Sequence, residues 1–357
     1  MNTSALCVRD VDFLFTPFVY RKLRLPTRLV MAPVQRFFAQ DGVPSVDMGL
    51  YYYRRAVQSL GMVVTEPVAV PDEAAALDAG MARFYGGEAL RAWRRICRLV
   101  HTTPCRLAPL LSHAGMLRAA KDGVPSIGPS GLPVVTGGRM GEAMSRSRID
   151  SVVQAFGASA GAARVLGFDA VEINGADAHL IEQFLRPACN ARLDEYGGDI
   201  GGRARFACRV VHAVRKAVGR HFPVLFRLGQ FSPLFGDVPL AGSPEELQQL
   251  LSLLCDAGVD IFCGVDARAS QPAFEGSALN MAGWIRRLTG RPVITEGRVG
   301  LDGVPLPPLV RRMQAWEFDM ISAGRSLLAD AEWGAKIRQA REAEIIPFTS
   351  RSWFRLL

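Results

Sequence analysis

The chain has 357 residues, a formal net charge of +8, 49% hydrophobic residues and 21% charged residues. That balance can bury a sizeable core and excludes a disordered chain, and no apolar run reaches the ~20 residues that cross a bilayer. The basic excess is spread as single arginines on helical stretches, such as Arg91, Arg94 and Arg98, so neither a nucleic-acid nor a membrane partner is expected.

Residues 1–12 lack a basic start followed by an apolar run, so no signal peptide is expected. Seven cysteines (Cys7, Cys97, Cys105, Cys189, Cys208, Cys255 and Cys263) are scattered and odd in number, with no C-x-x-C pair. They read as reduced packing residues in a cytoplasmic protein, with no disulfide frame and no metal site.

Residues 13–27 alternate weakly and read as a short hairpin or lead-in over one end of the domain. Eight short apolar runs follow, at 29–32, 61–65, 107–111, 170–173, 223–228, 259–263, 292–295 and 318–322. Most are continuous in Val, Ile, Leu, Phe and Met, as parallel strands buried on both faces require. Stretches with helical spacing separate them, at 46–59, 88–101, 149–166, 203–218, 243–257, 278–288 and 305–315, and another at 330–342 follows the last run. Ser45 and Ser243-Pro244 look like N-terminal caps, Gly167 and Gly219 like stops. The alternation predicts an α/β fold, a (β/α)8 TIM barrel spanning 1–357 as a single domain. A doubly wound sheet would carry a glycine-rich turn after its first strand, where this chain has Ala32-Pro33-Val34-Gln35. Residues 112–147 read as a long excursion after the third strand, a cap or lid over the barrel mouth.

Side chains at the C-terminal ends of barrel strands face one pocket. Gly297-Arg298 after the seventh run and Gly324-Arg325 after the eighth suit a phosphate, or are merely tight turns beside solvated arginines. A charge at Arg227, ending a buried strand, points to a functional role. Glu172 reads as half of a buried ion pair, and His113 as a core histidine bonded to loop backbone. The sharpest cluster is Asn174, Asp177 and His179, at the lip of the fourth run. They form either a reactive set, with a histidine titrating near neutrality, or a local turn in which Asp177 caps a helix.

Several motifs in order resemble the old yellow enzyme family: 14–18 (LFTPF), 30–33 (VMAP), 52–56 (YYRRA), Thr65-Glu66, 112–115 (SHAG), 183–185 (QFL), Asn190 with 194–198 (DEYGG), 203–206 (RARF) and Gly324-Arg325. The resemblance implies FMN over the barrel mouth, with NADH or NADPH as reductant and a small activated alkene as hydride acceptor. It places Gly297, Arg298, Gly324 and Arg325 at the FMN phosphate. It places Pro33 and Val34 against the ring, and Arg227 at the N1/O2 edge, where a cation favours the anionic reduced flavin. A homo-oligomer is compatible with it. The reaction face departs from the family. Its carbonyl-gripping His aligns with Asn174, the partner of that His with Asp177, and the proton-donating Tyr with His179. Leu110 stands for the flavin-bonding Gln, Gln35 for a Thr or Cys, Pro67 for a small residue, and Ser270 for an aromatic wall. An ionised Asp177 only accepts hydrogen bonds. It therefore opposes an oxyanion unless it is protonated, the substrate brings a donor, or hydride transfer is lost. The expectation is an FMN-dependent oxidoreductase of specialised metabolism with Asp177 and His179 as an acid–base pair. The rival readings are a non-redox isomerase, lyase or cyclase, and an inactive ligand-binding homologue.

Overall fold

The computed structural model describes residues 10–354, apart from 122, 135, 136, 233 and 237; Cys7 and most of the 1–12 stretch read for a signal peptide lie outside the described residues. Eight strands close a barrel: β1 (Leu29–Met31), β2 (Met62–Ala69), β3 (Arg106–Ser112), β4 (Val171–Asn174), β5 (Val224–Gly229), β6 (Ile261–Val265), β7 (Val293–Glu296) and β8 (Met320–Ala323). Every neighbouring pair is parallel and consecutive, and β8 returns to β1 in the register Ile321↔Leu29 and Ala323↔Met31. The predicted (β/α)8 barrel is therefore the fold.

Local chemistry sets the crossover helices. Ser45, Ser145, Asp199 and Ser243 each accept a first-turn N–H, at the starts of Val46–Ala56, Arg146–Leu166, Ile200–Val218 and Pro244–Ala257. Gly167 ends its helix in the left-handed region, at φ 95°. Two elements run longer than their apolar pattern. The helix Ile200–Val218 starts at Asp199, ahead of the 203–218 periodicity. Strand β2 continues through Pro67 to Ala69, with a register shift against β3 between Val64 and Pro67. A proline normally ends a strand because it removes a ladder donor; the irregularity absorbs that loss.

Inside the barrel Val30, Met62, Leu110, Leu225, Ile294 and Met320 form an apolar layer. The hairpin Phe18–Tyr20/Leu23–Leu25 adds Phe18, Leu23 and Leu25 below it, so the lead-in plugs the N-terminal end as expected. The other end is the open one. Between β3 and the helix Arg146–Leu166 the described residues of the excursion 112–147 carry a short 3-10 turn, Gly115–Leu117, and a two-residue strand pair, Ile127–Gly128 with Glu142–Ala143. Its Met116 and Val134 pack with Ala178, Cys189 and Phe235, beside the loop after β4. None of its described residues lines the cavity at the mouth. Leu77, Phe231 and Trp353 supply wall instead.

Candidate active site

A cavity of about 550 Å³ opens at the C-terminal ends of the strands, a usual size and place for a ligand site. Eleven of the predicted site residues line it. Pro33, Val34, Gln35 and Pro67 form one side, Arg227, Asp177 and His179 the floor and lip, and Gly297, Arg298, Gly324 and Arg325 the far end. Two predicted residues do not. Leu110 is fully buried in the apolar layer below. Asn174 is buried and committed: its Nδ2 donates to Ser112 Oγ at 3.1 Å and its Oδ1 accepts from Ala176 N at 3.2 Å. For Asn174 the local-turn reading holds. Ser270 is exposed and does not line this cavity.

Asp177 takes the opposite course. Asp177 and Ala178 both adopt left-handed backbone, at φ 56° and 58°, a strained arrangement for side-chain-bearing residues. Glu182 fixes the turn by accepting the Ala178 N–H at 2.6 Å while pairing with buried Arg186 at 2.7 Å. His179, not Asp177, then occupies the cap position of the helix Leu180–Leu185, and caps nothing with its side chain. Asp177 is free to reach across to Arg227, whose Nε donates to Oδ2 at 3.1 Å. Its side chain stays 46% exposed. Asp177 and His179 share no hydrogen bond. Burial lowers the His179 pKa to about 4, so the ring is neutral at neutral pH and the expectation of titration there is corrected. Its Nδ1 is buried without a partner.

Arg227 is the hub. Its guanidinium donates to both oxygens of Glu296, at 2.8 and 2.5 Å, and to Asp177. The surrounding carboxylates outweigh desolvation and hold its pKa well above the ordinary value. Glu296 follows Ile294 on the inward face of β7 and meets Arg227 across β6. Below them sits Glu172, whose two oxygens are buried without a hydrogen-bond partner. The expected ion pair of Glu172 is thus absent: Arg227 is taken by Glu296 and Asp177. Desolvation raises the Glu172 pKa to about 7. His113 matches its expectation, accepting the Gly115 N–H at Nδ1 and adding a contact from Nε2 to Asp72.

On the opposite wall, buried Glu66 clamps the loop after β1. It accepts from Arg36 N, Phe37 N and Gln35 Nε2. The amide of Gln35 is thereby oriented, and its Oε1 is left buried with no donor. At the far end Arg298 (φ 51°) follows Gly297, whose φ of 144° and close approach to the Asp266 carbonyl leave no room for a side chain. The Arg298 and Arg325 side chains are exposed and form no hydrogen bond or ion pair among the described residues; Arg325 rests over Phe348.

The sequence model of the NADH:flavin oxidoreductase / NADH oxidase family matches residues 13–344. The chain belongs to that family. An NADPH dehydrogenase of Geobacillus sp. (strain WCH70) is 29% identical over 90% of this chain and 92% of its own length. An NADH oxidase of Thermoanaerobacter brockii is 28% identical over 90% of this chain, which spans only 50% of that longer protein. The structure of morphinone reductase in complex with tetrahydroNAD superposes with a TM-score of 0.81 at 26% identity, covering 95% of this chain and 93% of that one. FMN is the cofactor of this family, and NADH or NADPH its reductant.

The cavity fits FMN at two points. Two unpaired guanidiniums beside Gly297 and Gly324 match a phosphate, and the donorless Gln35 Oε1 matches a ring N–H. At the position of the missing Gln, Leu110 offers nothing polar. Glu296, at the end of the seventh apolar run, faces the pocket as its strand-end position implies; sequence reasoning missed Glu182 and Trp353 as lining residues. No sequence signal marks Trp353, which reaches the mouth from the Ser350–Phe354 turn and accepts from Arg36 Nη2 through its carbonyl at 3.2 Å.

Proposed function

We propose that this chain is an NAD(P)H-dependent FMN oxidoreductase that reduces a small unsaturated organic substrate in specialised metabolism, through a rewritten substrate-gripping set. The observation carrying this reading is the pairing of an intact phosphate end with an altered reaction end. Arg298 and Arg325, with the Gly297 and Gly324 backbone, would hold the FMN phosphate. Pro33, Val34, Gln35 and Pro67 would flank the ring. Bound there, FMN would supply two-electron redox chemistry between a nicotinamide and the substrate.

The chain's own residues set the conditions. Arg227 would lie at the ring edge with its charge largely balanced by Glu296 and Asp177. Neutral His179 would offer or accept one hydrogen bond. Asp177 would orient the substrate as an acceptor. The non-redox reading needs Asp177 and His179 as a coupled acid–base pair, and the absence of a hydrogen bond between them leaves it without a supporting observation. The six described cysteines are free, as a reducing cytoplasm keeps them. Among the described residues no helix is long and apolar enough to cross a membrane.

The test is the visible spectrum of the purified protein. Uptake of FMN, with flavin absorbance that bleaches on adding NADH or NADPH and returns with an unsaturated acceptor, supports the reading. A protein that takes up no FMN overturns it.

A further inference from the structure

The reaction end of the cavity has lost the donors that would hold a negatively polarised oxygen. The Nη atoms of Arg227 are on Glu296 and its Nε is on Asp177. The amide of Asn174 is on Ser112 Oγ, that of Gln183 on the Ala114 and Ala178 carbonyls, and that of Gln35 on Glu66. The Ala178 and His179 backbone N–H groups are bonded to Glu182 and to the Ala176 carbonyl. Among the described side chains two neutral groups remain: His179, with its partnerless Nδ1, and the Ser232 hydroxyl, which is also without a partner. Each can accept as well as donate.

Charge points the same way. Asp177, Glu182 and Glu296 face this end against Arg227 and Arg186, three carboxylates to two guanidiniums. Asp266, also on the wall, is buried and its pKa is raised to about 8 by desolvation, so it adds no positive charge and little negative. Arg298 and Arg325 belong to the phosphate end. The Oδ1 of Asp177 has no partner among the described residues, while Oδ2 anchors it to Arg227. A half-exposed carboxylate pinned by one oxygen presents the other as a fixed acceptor.

We infer that this end of the cavity takes a substrate carrying a protonated amine, held through its N–H by Asp177 Oδ1. The inference rests on reading the cavity as the substrate site of an FMN oxidoreductase, and it names the class of substrate. An N⁺–H donor converts the excess negative charge from an obstacle into the binding term and uses the open acceptor. A carboxylate or an enolate-forming carbonyl meets repulsion, with only the neutral His179 and Ser232 side chains as free donors.

Three probes of one size separate the alternatives: phenethylamine, 2-phenylethanol and phenylacetate, titrated at neutral pH into the FMN-loaded protein by calorimetry and flavin difference spectra. The amine is expected to bind on the order of tenfold tighter than the alcohol, the scale of one charge-assisted hydrogen bond, with phenylacetate the weakest. Asp177→Asn keeps the shape and the Arg227 contact, and should remove most of the amine preference while FMN stays bound. Equal binding of amine and alcohol, preference for phenylacetate, no amine binding at millimolar concentration, or an unchanged preference in Asp177→Asn each overturns the inference and leaves the oxidoreductase reading standing. Failure to take up FMN instead removes that reading, and the calorimetric comparison on the protein as purified still decides the amine preference.

Discussion

Arg227 is buried with the carboxylates of Glu296 and Asp177 on two sides, and its guanidinium is balanced by both. Glu296→Gln removes the stronger partner but leaves an amide that still accepts. Arg227 is then less neutralised, and the FMN midpoint potential should rise, because a freer cation favours the anionic reduced ring; a spectroscopic redox titration reads it. An unchanged or lowered potential would separate Arg227 from the flavin. Glu172 makes a different prediction. Its pKa in the fold is about 7, against an ordinary 4.5, so the folded chain keeps a proton that the unfolded chain has released. Stability therefore falls as pH rises from about 4.5 to about 7, and stays lower above. Glu172→Gln should lessen the loss between about pH 5.5 and about pH 8.5 by roughly 2 kcal/mol, measured by urea unfolding at both ends.

The loop and helix after β4 are held by Glu182, with its acceptor contact to Ala178 and its ion pair to Arg186. The side chains of both Glu182 and Arg186 are nearly inaccessible, at 2% and 1%. Glu182→Ala leaves a buried guanidinium and an N–H unmatched, and should cost about 3–5 kcal/mol in chemical denaturation. A smaller variant, Glu182→Gln, keeps an acceptor for Ala178 and should cost less. This stretch also marks how far the sequence could be read. The strands were legible because their apolar runs are continuous, and β2 was cut short at Thr65 because Pro67 imitates a strand end. The Asn174–His179 cluster was visible as a cluster, but its division of labour was not. That division turns on two left-handed residues and on partners dozens of positions away: Arg227 is 50 residues from Asp177 and 69 from Glu296. For 112–147, length and glycine content report a loop without saying which way it folds.

For the molecule as a whole, buried ionisable groups oppose one another as pH changes. His179, with its pKa lowered to about 4 from 6.5, lends stability that is complete above 6.5 and is lost as pH falls through about 4. Glu66 and Glu172, raised to about 7, and Asp266, raised to about 8, withdraw stability as pH climbs to those values. Half-buried His101, raised to about 10 by Asp169, adds a smaller loss as pH rises from 6.5 to about 10. The histidine and carboxyl effects offset below about pH 6.5, and above it only the losses remain, so the melting temperature should decline steadily from near neutrality to about pH 9. Calorimetric scans across that range check this; a maximum on the alkaline side would contradict the burial of these groups.

The seam between β8 and β1 carries a consequence for synthesis. Leu29 has Ile321 as its partner, and Arg28 reaches the Asp319 carbonyl, 291 residues later. A ribosome adding about 5–20 residues per second needs roughly 15–60 s to cover that interval. Throughout it, the first strand waits with one edge unpaired. The nascent chain is thus a growing open sheet that cannot seal until nearly its last helix emerges, which makes it a natural client for chaperones that shield exposed strand edges.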